Sequence, residues 1–162
     1  MITHRKATPE DLERVWNYNI EKNPGDVRWL RWKKEYIGYN ERGEASTFVV
    51  LCDREPIGEG TLLFSPKCRA IRGRTVLADG ATVANINALR IRGAFEGQGY
   101  ISALVRLMER YARENGCERL TIGVEAKETR NLAIYFHLGY VDFVMSEIED
   151  GELVLYYEKI LT

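Results

Sequence analysis

The stretch that decides the fold is Arg92-Gly93-Ala94-Phe95-Glu96-Gly97-Gln98-Gly99-Tyr100-Ile101. It follows an alternating, strand-like run over residues 83–91 and opens into a helical run over residues 102–115. A glycine turn at this junction lets the backbone approach phosphate oxygens closely, and the free N–H groups of the first helical turn favour their negative charge. We therefore expect residues 97–102 to bind the pyrophosphate of a cofactor.

A second motif lies further along the chain, at Asn131-Leu132-Ala133-Ile134-Tyr135-Phe136-His137-Leu138-Gly139-Tyr140. Together with the glycine turn, it indicates an enzyme that handles a pyrophosphate-bearing cofactor. The turn is not a dinucleotide-binding fingerprint, because no third glycine follows it. It is not a Walker loop either, because the chain has no Gly-Lys-Ser/Thr at this place.

Composition excludes several other classes of protein. A length of 162 residues predicts one domain over residues 1–162, and a net charge of −1 gives no attraction to nucleic acid or to an anionic membrane. Three cysteines without a C-x-x-C spacing and two histidines argue against disulfides and against a metal site. Because we see no apolar signal core and no run of membrane-spanning length, we expect a cytoplasmic protein.

Periodicity and turn residues predict a mixed α/β chain whose elements run β-α-α-β-β-β-α-β-α-β-β. The predicted elements are strand 2–7, helices 9–20 and 26–39, strands 47–52, 57–64 and 83–91, a helix from residue 100 to about residue 115, strand 120–124, helix 128–138, and strands 141–148 and 153–160. Thr8 is the expected N-cap of the first helix, with Asp11 at the capping-box position. The order indicates an antiparallel first half and a strand-helix-strand crossover in the second half.

With both motifs placed on these elements, the chain resembles the GNAT superfamily of acyl-CoA-dependent N-acetyltransferases. The phosphate loop of that family reads [Gln/Arg]-x-x-Gly-x-[Gly/Ala], and residues 96–101 align with it. Gly99 matches the pattern, whereas Glu96 and Ile101 depart from it. The resemblance implies a central, mostly antiparallel sheet of six to seven strands, a β-α-β core that binds acetyl-CoA, and about four flanking helices.

The resemblance also assigns roles to residues, with acetyl-CoA as cosubstrate and no metal. Asn131 would contact the pantetheine arm or its carbonyl, and backbone N–H groups at residues 89–91 would polarise the thioester carbonyl as an oxyanion hole. Tyr135 would protonate the departing thiolate, since a leaving thiolate needs a proton donor. The implied cofactor-binding residues are Leu89, Arg90, Ile91, Gly97, Gln98, Gly99, Tyr100, Ile101, Ser102 and Asn131.

The second helix carries an aromatic face that could form a wall of the acceptor cleft. Trp29 and Tyr36 share one face and are expected to be buried, whereas Trp32 and Tyr39 share a neighbouring face and are candidate acceptor-binding residues. A basic loop is either solvated or in contact with the 3′-phosphate of CoA or with an anionic acceptor; its members are Lys67, Arg69, Arg72 and Arg74.

Strand residues supply the other acceptor-binding candidates, Glu59, Asn85 and Asn87. Strict alternation would put both asparagines on one face with Leu89 and Ile91. Neither asparagine is acidic, so the proton of the amine would leave through a water chain or through Glu59. The alternative for Glu59 is an ordinary solvated strand residue.

These observations predict an N-acetyltransferase in which a neutral primary amine attacks the thioester directly, without a covalent enzyme intermediate. The acceptor is an amine of a small molecule or of a peptide; dimers are common in the resembled family, so a homodimer is an option. The alternative function is a non-catalytic acyl-CoA-binding or sensor domain of the same fold. The departures at Glu96 and Ile101, and a fourth strand without an acidic residue at either asparagine position, support that alternative.

Overall fold

The computed structural model describes all 162 residues, and its elements follow the predicted order. The strands are β1 (Ile2–Lys6), β2 (Ala45–Cys52), β3 (Glu55–Leu63), β4 (Val83–Ile91), β5 (Arg119–Glu125), β6 (Asp142–Glu149) and β7 (Glu152–Ile160). The helices are α1 (Pro9–Lys22), α2 (Arg28–Glu41), α3 (Tyr100–Glu114) and α4 (Thr129–His137). Every predicted helix and strand is confirmed, with ends that differ by at most two residues.

Seven strands form one sheet in the order β1-β2-β3-β4-β5-β7-β6. β1 pairs with β2, β5 with β7 and β6 with β7 in antiparallel fashion, whereas β4 and β5 are parallel. Parallel neighbours need a crossover connection, usually a helix, and α3 is the helix between β4 and β5. The predicted mixed α/β class, with a mostly antiparallel sheet, a β-α-β unit and four helices, is confirmed.

The chain divides into two compact units, Met1–Leu62 with Ala88–Met108, and Leu63–Asn87 with Glu109–Thr162. We call them the first and the second unit. The single domain expected over residues 1–162 stays a prediction. None of the helices combines the length and the apolar character needed to cross a bilayer.

In the first unit, α1 begins with the predicted capping box. The Thr8 hydroxyl accepts the Asp11 N–H at 3.1 Å, and the Asp11 carboxylate accepts the Thr8 N–H at 2.9 Å. Arg5 donates to both carboxylate oxygens of Asp11. These bonds satisfy N–H groups that the first helical turn leaves unpaired, which typically adds about 1 kcal/mol of stability.

In the second unit, Tyr140 is fully buried. Its hydroxyl donates to Glu109 at 2.7 Å, and the Lys159 ammonium donates to the same carboxylate at 3.0 Å. Burial, followed by the charge of Glu109, raises the pKa of Tyr140, so the phenol stays neutral. This bonded group joins α3 to β7 within the second unit.

Arg74 does not belong to a solvated basic loop. Its side chain is 13% exposed, and its guanidinium donates to Glu147 at 2.5 Å, to Glu149 at 3.2 Å and to the Tyr156 hydroxyl at 3.2 Å. The sequence pattern missed this cluster because its acidic members lie on β6, far along the chain. Arg74 therefore fixes the loop before β4 to the β6–β7 hairpin.

Candidate active site

The alternation of β4 stops at Ala88, whose φ of 53° lies in the left-handed region. Non-glycine residues seldom adopt this conformation, and such strain concentrates at functional sites. The common face predicted for Asn85, Asn87, Leu89 and Ile91 is therefore wrong, because it assumed extended backbone through residue 88. Sequence alternation cannot register such an interruption.

The glycine turn follows β4 in the first unit. Gly97 and Gly99 have φ values of 73° and 81°, and a Cβ added to either would meet nothing within 4 Å. The N–H groups of residues 97–102 donate to no acceptor in the chain, and the Ala103 N–H is the first to bond back, to the Gly99 carbonyl at 3.1 Å. The turn thus presents a run of open donors at the N-terminus of α3.

The two residues that depart from the family pattern do not block these donors. Glu96 is exposed, and Ile101 is half-buried on the first turn of α3. An open backbone donor array at a helix N-terminus suits the oxygens of a diphosphate. The residues present therefore fit the pyrophosphate of acetyl-CoA.

In the second unit, α4 carries Asn131 and Tyr135. Asn131 is exposed and Tyr135 is half-buried. Burial, followed by the charge of Glu128, raises the pKa of Tyr135 above its ordinary value of 10.0. The phenol is therefore protonated at neutral pH, which is the state that a proton donor needs.

The asparagines on β4 bond inside the second unit. Asn85 is buried and donates to the Thr121 hydroxyl at 2.9 Å, and that hydroxyl donates to the Leu77 carbonyl at 2.8 Å. The Asn87 amide donates to the Asn85 side-chain oxygen at 3.4 Å. This chain of bonds gives Asn85 a structural role next to β5.

On α2, the burial expected for Tyr36 is observed, but Trp29, which was also expected to be buried, is half-buried. Tyr39, a candidate for the cleft, is buried instead. Tyr36 and Tyr39 are 8% and 7% exposed, and their rings pack 5.6 Å apart. Trp32 is half-buried and lies edge-on to Trp29 at 5.0 Å. Of the two acceptor candidates on this helix, only Trp32 therefore presents surface in this structure.

Glu59 is buried, at 5% exposure, so its interpretation as a solvated strand residue is wrong. Its carboxylate accepts the Arg90 guanidinium at 2.5 Å and the Asn19 amide at 3.2 Å to each oxygen. Burial raises the pKa of Glu59, and the charge of Arg90 opposes that rise. Period-two alternation did not reveal this cluster, because its partners come from α1 and β4.

A cavity of about 190 Å³ opens beside Glu59, entirely within the first unit. Its polar lining comes from Asn19, Glu59, Arg90 and Arg92. The sequence analysis named Glu59 and Arg90 but missed Asn19 and Arg92. Arg92 could have been found from its position, since it is the first residue of the glycine stretch and directly follows the strand that ends at residue 91.

We expect Arg90→Gln to lower the melting temperature more at about pH 8 than at about pH 5. Because Arg90 lowers the pKa of Glu59, its loss raises that pKa further above the ordinary 4.5. A carboxyl whose pKa rises on folding destabilises the fold as pH increases through that range, and the neutral acid at low pH escapes the cost. At the higher pH we expect the variant to lose about 1–3 kcal/mol of its free energy of unfolding.

Thermal unfolding at both pH values measures this difference, with Arg110→Gln as the matched control, since Arg110 is exposed on α3. An equal loss of stability at the two pH values would mean that the Glu59 charge is not what Arg90 balances.

The β-α-β unit and the open donors at the start of α3 define the class of protein, an α/β protein with a turn suited to a diphosphate. Over residues 10–140 the chain matches the model of the acetyltransferase (GNAT) family, and it belongs to that family. Members of this family take the acetyl group from acetyl-CoA. A comparison with curated protein sequences finds no match.

Solved structures share the fold at low sequence identity. The ribosomal-protein-alanine N-acetyltransferase of Brucella melitensis superposes with a TM-score of 0.72 at 17% identity, covering 98% of this chain and 99% of its own. The PaiA N-acetyltransferase of Thermoplasma acidophilum, in complex with coenzyme A, gives 0.64 at 16% identity, with 99% of both chains. A spermidine N-acetyltransferase chimera from Vibrio cholerae and hSSAT gives 0.72 at 16% identity, with 99% of this chain and 95% of its own.

Proposed function

We propose that this chain is an N-acetyltransferase that moves an acetyl group from acetyl-CoA to a primary amine by direct attack in a ternary complex. The observation that carries the proposal is the run of unpaired N–H groups at residues 97–102. Membership of the GNAT family supports the choice of ligand for these donors. The acceptor is an amine of a small molecule or of a peptide, since one structural neighbour is named a spermidine N-acetyltransferase and another a ribosomal-protein-alanine N-acetyltransferase.

Acetyl-CoA supplies an acetyl thioester, and the chain supplies binding, polarisation and a proton. The amides of residues 97–102 bind the diphosphate, and Asn131 binds the pantetheine arm. Backbone N–H groups at residues 89–91 follow the left-handed Ala88, and they polarise the thioester carbonyl. Pre-positioned donors of this kind stabilise charge as it develops on the carbonyl oxygen.

Two proton transfers complete the reaction. Tyr135 donates its phenolic proton to the departing sulfur, and its raised pKa keeps that proton available. The attacking amine must lose a proton, and Glu59 is a poor acceptor because Asn19 and Arg90 already occupy its carboxylate. We therefore assign the amine proton to water rather than to Glu59.

A second candidate function is an acyl-CoA sensor that binds the cofactor and transfers nothing. Asn85 and Asn87 on β4 carry amides, which cannot accept the amine proton as a carboxylate would, and the Asn85 amide already donates to Thr121. The departures at Glu96 and Ile101 also favour this candidate.

One experiment separates these functions. The protein is titrated with coenzyme A by calorimetry and then incubated with acetyl-CoA and a panel of amines while free thiol is measured. Coenzyme A binding with thiol release that requires an amine supports the transferase. Binding without release against any amine identifies the sensor, and the absence of coenzyme A binding contradicts both functions.

A further inference from the structure

The side chains that line the cavity beside Glu59 have no role in the mechanism above, which uses only the backbone of residues 89–91. Apolar residues and backbone line the rest of it, and its volume of about 190 Å³ is below the roughly 300–1,000 Å³ of sites for drug-sized ligands. It therefore suits a small ligand or a single polar group of a larger one. Because Arg90 follows Leu89 on β4, the cavity adjoins the segment that we assign to the thioester carbonyl.

The charges around this cavity sum to a positive value. Arg90 donates to Glu59 through Nη1, and Arg92 donates to Glu55 through Nη2 at 3.1 Å. Arg14 also donates to Glu55. Three guanidinium groups thus face two carboxylates, which leaves one positive charge. The Nε and second Nη atoms of Arg90 and Arg92 make no hydrogen bond within the chain.

The aromatic rings near the cavity are already occupied by these arginines. The Arg90 guanidinium lies 5.4 Å from the ring centroid of Trp16 and 4.9 Å from that of Trp29. The Arg92 guanidinium lies 3.7 Å from the ring centroid of Tyr18. A cationic acceptor would therefore find arginines in place of free aromatic faces, and their charge would repel it.

We propose that this cavity binds an anionic group, a carboxylate or a phosphate, on the amine that accepts the acetyl group. The free donors of Arg90 and Arg92 have the planar fork geometry that such groups accept. The inference rests on the proposed function and narrows its acceptors to amino acids and phosphorylated amines. Glu59, whose carboxylate also accepts the Asn19 amide, holds Arg90 in place, so the guanidinium is ordered before the anion arrives.

The diphosphate of coenzyme A is the other anion that could reach these arginines. It has its own donors, however, at residues 97–102, and none of those residues lines the cavity, whose wall ends at Gly93. The acceptor is therefore the better source of the anion, and coenzyme A binding by an Arg92 variant distinguishes the two sources.

The test compares matched amines that differ only in the anionic group. β-Alanine is paired with β-alaninamide and O-phosphoethanolamine with ethanolamine, and spermidine is the cationic comparison. We expect kcat/KM for at least one anionic member to exceed that of its neutral partner by about tenfold to a hundredfold, with spermidine the poorest. Equal values within both pairs, or a preference for spermidine, would overturn the proposal.

Arg92→Gln then examines the cavity itself, since Arg92 lines it and has no part in the proposed transfer step. The preference for the anionic amine should disappear while the neutral partner and the Kd of coenzyme A change little, and Arg110→Gln should keep the preference. A matching loss of coenzyme A affinity in Arg92→Gln would instead assign the guanidinium to the cofactor and overturn the proposal.

Calorimetric titration of β-alanine and O-phosphoethanolamine into the coenzyme A complex gives a readout that does not depend on turnover. Binding of these compounds to the unmodified protein that is lost in Arg92→Gln supports the anion site in the cavity, even where thiol release fails and the transferase function is contradicted. If neither compound binds, the proposed anion site in the cavity is contradicted, even where acetyl transfer to other amines proceeds.

Discussion

Replacing Gly99 with valine should raise the Kd of coenzyme A by about a hundredfold, which corresponds to roughly 2.7 kcal/mol. Gly99 has a φ of 81°, and a β-branched residue is strained there by about 1–3 kcal/mol. The chain can relieve that strain only by turning the peptide groups of residues 98–100, and the turn then loses its aligned N–H donors. Calorimetric titration with coenzyme A measures the change.

Gly116→Val is the matched control for this variant. Gly116 has a φ of 90°, a Cβ there would also meet nothing within 4 Å, and it follows the C-terminus of α3. We expect a similar loss of thermal stability from both variants, but a lower affinity only from Gly99→Val. Equal affinities in the two variants would place the diphosphate away from the glycine turn.

Local signals predicted most of the fold because they depend on neighbouring residues. The capping box at Thr8 and Asp11 sets the start of α1 within a single helical turn. Gly116 closes α3, and the turn around Asp150 and Gly151 connects β6 to β7, again through short-range chemistry. The glycine turn after β4 was readable for the same reason, since a strand, two glycines and a helix follow one another directly.

The sequence did not reveal features that need partners from distant elements. Glu59 is buried because Arg90 and Asn19 come from β4 and α1, and alternation on β3 cannot carry that information. Arg74 is held by Glu147 and Glu149 on β6, and two strands and two helices lie between Arg74 and these glutamates along the chain. The left-handed Ala88 is a third case, because alanine carries no local preference for that conformation.

Motifs therefore predicted the cofactor side of the candidate site but not the acceptor side. The phosphate turn and the Asn131–Tyr135 segment could be named because a cofactor of fixed structure demands fixed residue types. The cavity at Arg90 and Arg92 could not, since it depends on which charges remain after ion pairs form. Acceptor preference is thus a property of the folded charge arrangement.

Tyr135→Phe should lower kcat by about a hundredfold or more and leave the Kd of coenzyme A nearly unchanged. The substitution removes only the hydroxyl, so the ring keeps its packing on α4 while the departing sulfur loses its proton donor. Because burial raises the pKa of Tyr135 above 10.0, the unmodified enzyme should keep this donor up to that pH and lose rate only as pH increases further. The variant should show no such alkaline decline.

Tyr157→Phe is the matched control, since Tyr157 is a half-buried phenol on β7 whose ring packs against Phe136 at 4.9 Å. It should retain kcat and the alkaline decline together. Steady-state rates over pH, followed by free thiol, distinguish the two tyrosines. An unchanged rate in Tyr135→Phe would mean that water, and not Tyr135, protonates the departing sulfur. A lower rate accompanied by an equally weakened coenzyme A affinity would instead make Tyr135 a binding residue, since a proton donor acts on the transition state and not on the bound cofactor.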